Sequence, residues 1–240
     1  MGAVIKARGI CTSYRTGFGL RNMSFEIEEG SFVCITGPNG GGKSTLAKVL
    51  NGLVSLTGGT LEVCGLDVND ENNLDGVRRQ LGLVFQNPDN QIVSVVVKED
   101  VAFGPCNLGL APDEVEKRTS EALSLVGMSE YASSSVTALS GGQKQLVSLA
   151  GILAFRPRIM VLDEITSMID PVERRKILSI LKDLVKNHGI TVLFITHRFE
   201  ECLAADRLLY IEDGALVADG RPEDVLRSVI KAADGREENA

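Results

Sequence analysis

Along the first third of the chain, apolar residues alternate or gather in short runs. The spacing predicts strands at residues 4–10, 20–27 and 31–36, with Glu29-Gly30 as the turn before the third. The period then changes. After a glycine-rich segment at 37–42, Leu46, Val49, Leu50 and Leu53 recur at helical spacing, so a strand feeds a glycine-rich loop and then a helix. The apolar run at 81–85 reads as another strand, and the stretch between Gln86 and Ser140 is mainly helical. It includes a helix over 112–126 opened by Pro112, with Val115, Ala122 and Val126 on or near one face. From Ser140 onward helix and strand alternate. A helix carries Leu146, Leu149, Ala150 and Leu153 on one face. Then come a strand at 159–162, a helix at 171–187, a strand at 190–195, a short helix, and strands at 207–211 and 215–218 joined by Asp213-Gly214. This alternation predicts an α/β core with a mostly parallel sheet and a helical subdomain inserted at approximately 87–155. A last helix over 222–232 completes a single domain of residues 1–232, and the charged residues 233–240 are expected to be a flexible tail.

Composition narrows the partners. A chain of 240 residues with 44% apolar content can bury one core, or one core plus a small subdomain. Its net charge of −7 argues against broad electrostatic attachment to nucleic acid or anionic lipid, so membrane contact is expected to go through protein partners. The most apolar stretch, 146–155, is interrupted by Ser148 and Gly151 and falls short of the ~20 residues of a bilayer span. Residues 1–8 lack a long apolar run followed by a small-residue cleavage site, and a secretory leader is not expected. Five scattered cysteines with no C-x-x-C pair read as reduced thiols of a cytosolic protein.

The chemistry starts at Gly37-Pro38-Asn39-Gly40-Gly41-Gly42-Lys43-Ser44-Thr45. This segment fits G-x-x-x-x-G-K-[ST] between an apolar strand and a helix, the context the motif requires. Glycines let successive N–H groups turn inward onto phosphate oxygens, and the helix N-terminus adds partial positive charge. Lys43 is placed to reach the β- and γ-phosphates and the Ser44 hydroxyl to ligate Mg²⁺. A glycine-rich turn that binds nothing is the plain alternative, which the flanking strand and helix disfavour. The loop alone specifies a nucleoside triphosphate, and the absence of N-K-x-D favours ATP over GTP.

Leu139-Ser140-Gly141-Gly142-Gln143 discriminates further. Ser140 and Gln143 form an S-x-x-Q capping box, and the glycines expose amides at a second helix N-terminus, a second anion site. An ordinary capped helix has the same local form. At this point the sequence resembles the ATP-binding-cassette (ABC) family, whose signature is L-S-G-G-Q. The resemblance implies a P-loop NTPase domain with a mostly parallel core sheet, an N-terminal antiparallel β subdomain and a helical signature subdomain.

It also implies roles for further residues. The apolar run 159–162 followed by Asp163-Glu164 resembles Walker B and its adjoining glutamate, with Asp163 holding Mg²⁺ and Glu164 polarising the attacking water. Gln86 resembles the Q-loop glutamine, which contacts Mg²⁺ and the attacking water and relays nucleotide state to the membrane partner. His197 resembles the switch histidine that contacts the γ-phosphate. Asp170 resembles the D-loop aspartate, and it reads equally as the N-cap of the helix that Pro171 opens; both readings can hold together. Tyr14 resembles the aromatic that stacks on adenine, against the alternative of simple packing. In this family Ser140, Gly141 and Gly142 act on the nucleotide held by another subunit, so one chain carries two half-sites and is expected to be an ATPase only in a pair.

The segment at 84–91, then 99–105 and 166–171, looks like the ATPases of energy-coupling-factor importers and of cobalt and nickel uptake systems. That implies ATP hydrolysis powering uptake of a vitamin or transition-metal ion at the cytoplasmic face of a membrane. The implied partners are a second ATPase, identical or related, a transmembrane coupling protein and a membrane substrate-binding subunit. Three departures stand out: Gly41 where serine is common, Leu146 where Arg is usual, and Ile165 where Pro or Ala is common. A charge lost at 146 suggests asymmetric pairing with a different ATPase. The alternatives are a soluble ABC ATPase with a mechanical role in nucleic-acid or translation processes, whose coiled-coil insertions or tandem cassettes do not fit in 240 residues, and a non-hydrolysing regulator, against which Glu164 and His197 argue.

Overall fold

The computed structural model describes residues 2–13 and 17–237. Two sheets organise them. The chain opens with β1 (Ala3–Cys11), β2 (Met23–Glu28) and β3 (Phe32–Thr36), followed by α1 (Lys43–Leu50), β4 (Gly58–Val63), β5 (Leu66–Asp67), α2 (Leu74–Gln80) and β6 (Leu81–Val84). Three helices follow, α3 (Val97–Asn107), α4 (Pro112–Leu125) and α5 (Gly141–Leu153), all within the stretch read as helical. The alternation then resumes with β7 (Ile159–Asp163), α6 (Pro171–His188), β8 (Thr191–Ile195), α7 (Phe199–Cys202), β9 (Arg207–Glu212), β10 (Ala215–Gly220) and α8 (Pro222–Glu237).

A four-stranded antiparallel sheet has the order β2-β1-β4-β5, and a six-stranded sheet the order β10-β9-β3-β8-β7-β6. In the larger sheet β9, β3, β8, β7 and β6 run parallel, and β10 is an antiparallel edge hairpin on β9. Its central strands are buried along their whole length, as expected of a parallel sheet covered on both faces. Side-chain parity divides the core. Val33, Ile35, Val161, Leu193 and Ile195 pack with α1 and the antiparallel sheet, whereas Phe32, Met160, Leu162, Val192 and Phe194 pack with α3 to α6.

Several details differ from expectation. Strand β4, β5 and α2 carried no strong periodicity, since β4 opens on two glycines and β5 spans two residues. Strand β2 begins at Met23, because Leu20 is held in a loop by Thr12, whose Oγ1 accepts from the Leu20 amide at 2.8 Å. Helix α1 ends at Leu50, and Gly52 at φ +68° turns the chain, which leaves Leu53 50% exposed and off the predicted helical face. Helix α8 continues to Glu237, five residues past its predicted end and into the expected tail.

Candidate functional site

Parallel strands deliver the site residues to one edge of the large sheet. The glycine-rich loop leaves the C-terminal end of β3, Gln86 follows β6, Asp163 ends β7, and His197 follows β8. Crevices at the carboxyl ends of parallel strands are where open α/β sheets bind ligands.

The loop's shape depends on its glycines at two points. Gly37 (φ +145°) packs so tightly on β9 that a Cβ there would lie 1.8 Å from the Ile211 carbonyl oxygen. Gly42, the N-cap of α1, has φ +110°. Lys43 is buried, and its Nζ donates to the carbonyls of Gly37 and Pro38, each at 2.9 Å. Burial pushes its pKa below the usual lysine value, while the carboxylates of Glu164 and Asp163 work in the other direction. Residues 39–45 border a cavity of about 150 Å³ together with Glu164 and Phe18. That falls below the ~300 Å³ at which pockets for drug-sized ligands begin.

Ser44 Oγ donates to Asp163 Oδ1 at 3.1 Å. Burial pushes the Asp163 carboxyl above its ordinary range, partly offset by the Ser44 hydrogen bond. An exposed hydroxyl oxygen beside a desolvated carboxylate is a hard-oxygen donor set that suits Mg²⁺, with phosphate and water oxygens free to supply the remaining ligands. Among the described residues there is no cluster of three or more His, Cys, Asp or Glu that could hold a metal unaided.

Glu164 has φ +53°, a left-handed conformation that costs a residue with a side chain ~1–2 kcal/mol. Its neighbours enforce it. The Glu164 amide donates to the Ile195 carbonyl at 3.0 Å, and Ile165 and Thr166 are buried behind it. The turn aims the carboxylate away from the strand. Glu164 Oε2 accepts from Gln86 Nε2 at 3.4 Å and lies 3.7 Å from His197 Nδ1. Gln86 Nε2 also donates to Ser167 Oγ at 3.2 Å. Gln86, Glu164 and His197, separated by 78 and 33 positions in sequence, thus meet at one carboxylate oxygen. Ser167, absent from the sequence-derived set, belongs to the same cluster, and no local signal marks it because the contact is long-range.

The signature segment stands apart. Ser140 caps α5 in the predicted box, with the Gln143 amide donating to Ser140 Oγ at 3.2 Å and the Ser140 amide to Gln143 Oε1 at 2.9 Å. The Ser140 hydroxyl donates to Glu173 Oε1 at 3.2 Å, and a Cβ at Gly142 would lie 1.9 Å from Glu173 Oε2. Gly142 is therefore buried against a carboxylate of this chain, Gly141 is exposed, and neither glycine borders the phosphate-loop cavity. Asp170 is the N-cap of α6, accepting from the amides of Val172 at 2.8 Å and Glu173 at 3.2 Å, contacts that hold its carboxyl below the usual range. Tyr14 lies outside the described residues. Leu146 is 5% exposed and packed in the core, so the missing charge faces this chain's own interior rather than a partner. Ile165 is buried likewise, and Gly41 lies close to the carbonyls of Pro38 and Ile211.

The profile of the ABC transporter family matches residues 20–167. The energy-coupling factor transporter ATP-binding protein EcfA1 of Caldanaerobacter subterraneus subsp. tengcongensis is 47% identical over 234 residues, covering 95% of this chain and 84% of that one. The cobalt import ATP-binding protein CbiO of Syntrophus aciditrophicus is 44% identical, covering 86% and 74%. Among solved structures, cbiO1 of Clostridium perfringens, part of the ABC transporter complex cbiONQ, superposes with a TM-score of 0.88 at 31% identity, covering 98% of this chain and 96% of that one. A dimeric ATP-binding cassette, MJ0796, in a post-hydrolysis state bound to ADP and Pi, superposes with a TM-score of 0.82 at 30% identity, covering 91% and 98%.

Proposed function

Because this chain belongs to the ABC transporter family, we propose that it is the ATP-binding and hydrolysing subunit that powers an energy-coupling-factor importer for a vitamin or transition-metal ion. The observation that carries the hydrolytic reading is Glu164 Oε2. It is held in left-handed backbone beside the phosphate loop and met by both Gln86 and His197.

Hydrolysis of the terminal phosphate requires positioning and charge stabilisation more than covalent chemistry. The loop amides and Lys43 hold the β- and γ-phosphates, and Lys43 must leave the carbonyls of Gly37 and Pro38 to do so. Ser44 and Asp163 would hold Mg²⁺, with Gln86 as a further contact, and the ion would supply charge neutralisation to the phosphates. Glu164 orients a water and accepts its proton, and Gln86 and His197 fix the direction in which that carboxylate points. Asp170 keeps α6 capped next to the signature segment.

The small cavity and the remote Ser140, Gly141 and Gly142 support completion of each site by a second ATPase, identical or related. Its signature helix would present amides to the γ-phosphate. The membrane partners are a transmembrane coupling protein and a substrate-binding membrane subunit, and the latter chooses the cargo. No helix among the described residues is long and apolar enough to cross a membrane. A groove of about 510 Å³ lined by Leu53, Leu83, Phe85, Ile152 and Phe155 opens beside Gln86 and offers the coupling protein an apolar seat. Through it the chain sits at the cytoplasmic face.

The deciding experiment is phosphate release by the chain purified with its membrane partners, compared with Glu164→Gln. That variant is expected to bind ATP, lose hydrolysis and accumulate the closed pair; near-normal turnover would remove Glu164 from the role of base.

A further inference from the structure

One carboxylate buried behind the site touches neither solvent nor the phosphate loop. Glu201, on α7, is 2% exposed. Its Oε2 accepts hydrogen bonds from two buried hydroxyls, Thr166 Oγ1 at 2.9 Å and Thr196 Oγ1. Thr166 stands two residues after Glu164, and Thr196 immediately precedes His197. A single oxygen therefore ties together the segments that present Glu164 and His197 to each other. Thr196 Oγ1 also accepts from the Arg198 amide at 3.1 Å, which fixes the turn on the far side of His197.

The second oxygen points elsewhere. Glu201 Oε1 lies 3.5 Å from Arg174 Nε, and neither atom has a hydrogen-bond partner. Arg174 Nη2 meanwhile donates to the Ile169 carbonyl at 3.0 Å, next to Asp170. Leaving a charge in the interior without full pairing carries its desolvation penalty. Apolar side chains would fill this position without that penalty, so the carboxylate is explained by what it connects.

We propose that Glu201 is a positioning residue for ATP hydrolysis, holding the Glu164 and His197 segments in register and tying both, through Arg174, to the segment that ends at Asp170. It touches no substrate and acts only through the groups it orients. The inference rests on the reading of Glu164 as the base and His197 as its neighbour at the γ-phosphate.

The test uses the assembled transporter carrying Glu201→Gln, alone and combined with His197→Ala. Glutamine keeps the length and an acceptor for the threonines but sets an amide N–H₂ against the Arg174 guanidinium. Expected are ATP affinity within about twofold of wild type, a kcat at least about tenfold lower, and a smaller fold loss in the His197→Ala background, where only the routes through Glu164 and Asp170 remain. Equal kcat losses in both backgrounds, an unchanged kcat, or affinity falling in step with kcat would each overturn the proposal. Should Glu201→Gln fail to fold, Thr196→Val removes one arm of the contact while leaving the buried carboxylate its other donor, and the same split between affinity and kcat is required of it. Failure of the underlying reading is separable: Glu164→Gln would then hydrolyse ATP at a near-normal rate whatever the Glu201 variants do.

Discussion

Asp163 carries opposed demands in one side chain. The strand that places it beside Ser44 also removes it from water, and the resulting desolvation raises its pKa. A group whose pKa is higher folded than unfolded binds its proton more tightly in the native state. Stability therefore falls as pH rises through the interval between the two values, and the penalty is complete above the folded-state value. Asp163→Asn keeps the shape and an acceptor for Ser44 without the charge. It is expected to raise the nucleotide-free thermal midpoint at pH 7, with the difference fading below about pH 4, where both states hold the proton. The same variant should lose Mg²⁺-dependent hydrolysis. Lys43→Ala removes the one cation buried in the loop, and nucleotide titration should show weakened binding or phosphate assays a loss of turnover; unaltered affinity and rate would contradict the phosphate-loop reading. At this scale the motif residues Lys43, Ser44 and Asp163 were legible because each sits at a fixed offset from a strand end. Ser167, Glu173 and Glu201 were not, because their contacts join positions that only the folded sheet brings together.

In helix α5 one cap would serve two purposes under the proposed pairing. The Ser140 hydroxyl caps the helix of its own chain, and the proposal assigns the amides behind it to another chain's nucleotide. Ser140→Ala should thus cost about 1 kcal/mol in denaturant unfolding of the isolated chain. It should leave the affinity of that chain's own phosphate loop for ATP unchanged, and the defect should appear only in turnover by the pair. A matching loss of intrinsic nucleotide affinity would mean that the signature acts within its own chain. The capping box and the N-cap of α6 could be read directly from S-x-x-Q and Asp-Pro, since both are local. Strands β4 and β5 could not, because glycines at 58 and 59 remove the alternating pattern, although the Cys64-Gly65 turn, with φ +51° and +81°, is of the kind that joins two short strands.

Across the whole molecule, the half-site character makes a prediction that no single variant can test. If each site combines the phosphate loop of one chain with the signature of the other, two inactive variants can restore one another. Take Lys43→Ala, defective in the loop, and Gly142→Asp, which sets a carboxylate on the signature amides. A mixed pair then holds one site with both defects and one with neither. Random exchange in an equal mixture makes half of the pairs mixed, so about a quarter of the wild-type sites are restored, against almost none in either variant alone. Recovery should scale with the fraction of mixed pairs as the ratio is varied, and phosphate release read against that ratio gives a curve with its maximum at equal amounts. A site contained in one chain gives no recovery at any ratio. Where the natural partner is a related ATPase, the defect pairs are divided between the two subunits of the assembled transporter instead. Both defects in one subunit then leave each site with a single defect and no activity, whereas the loop defect in one and the signature defect in the other leave one site whole.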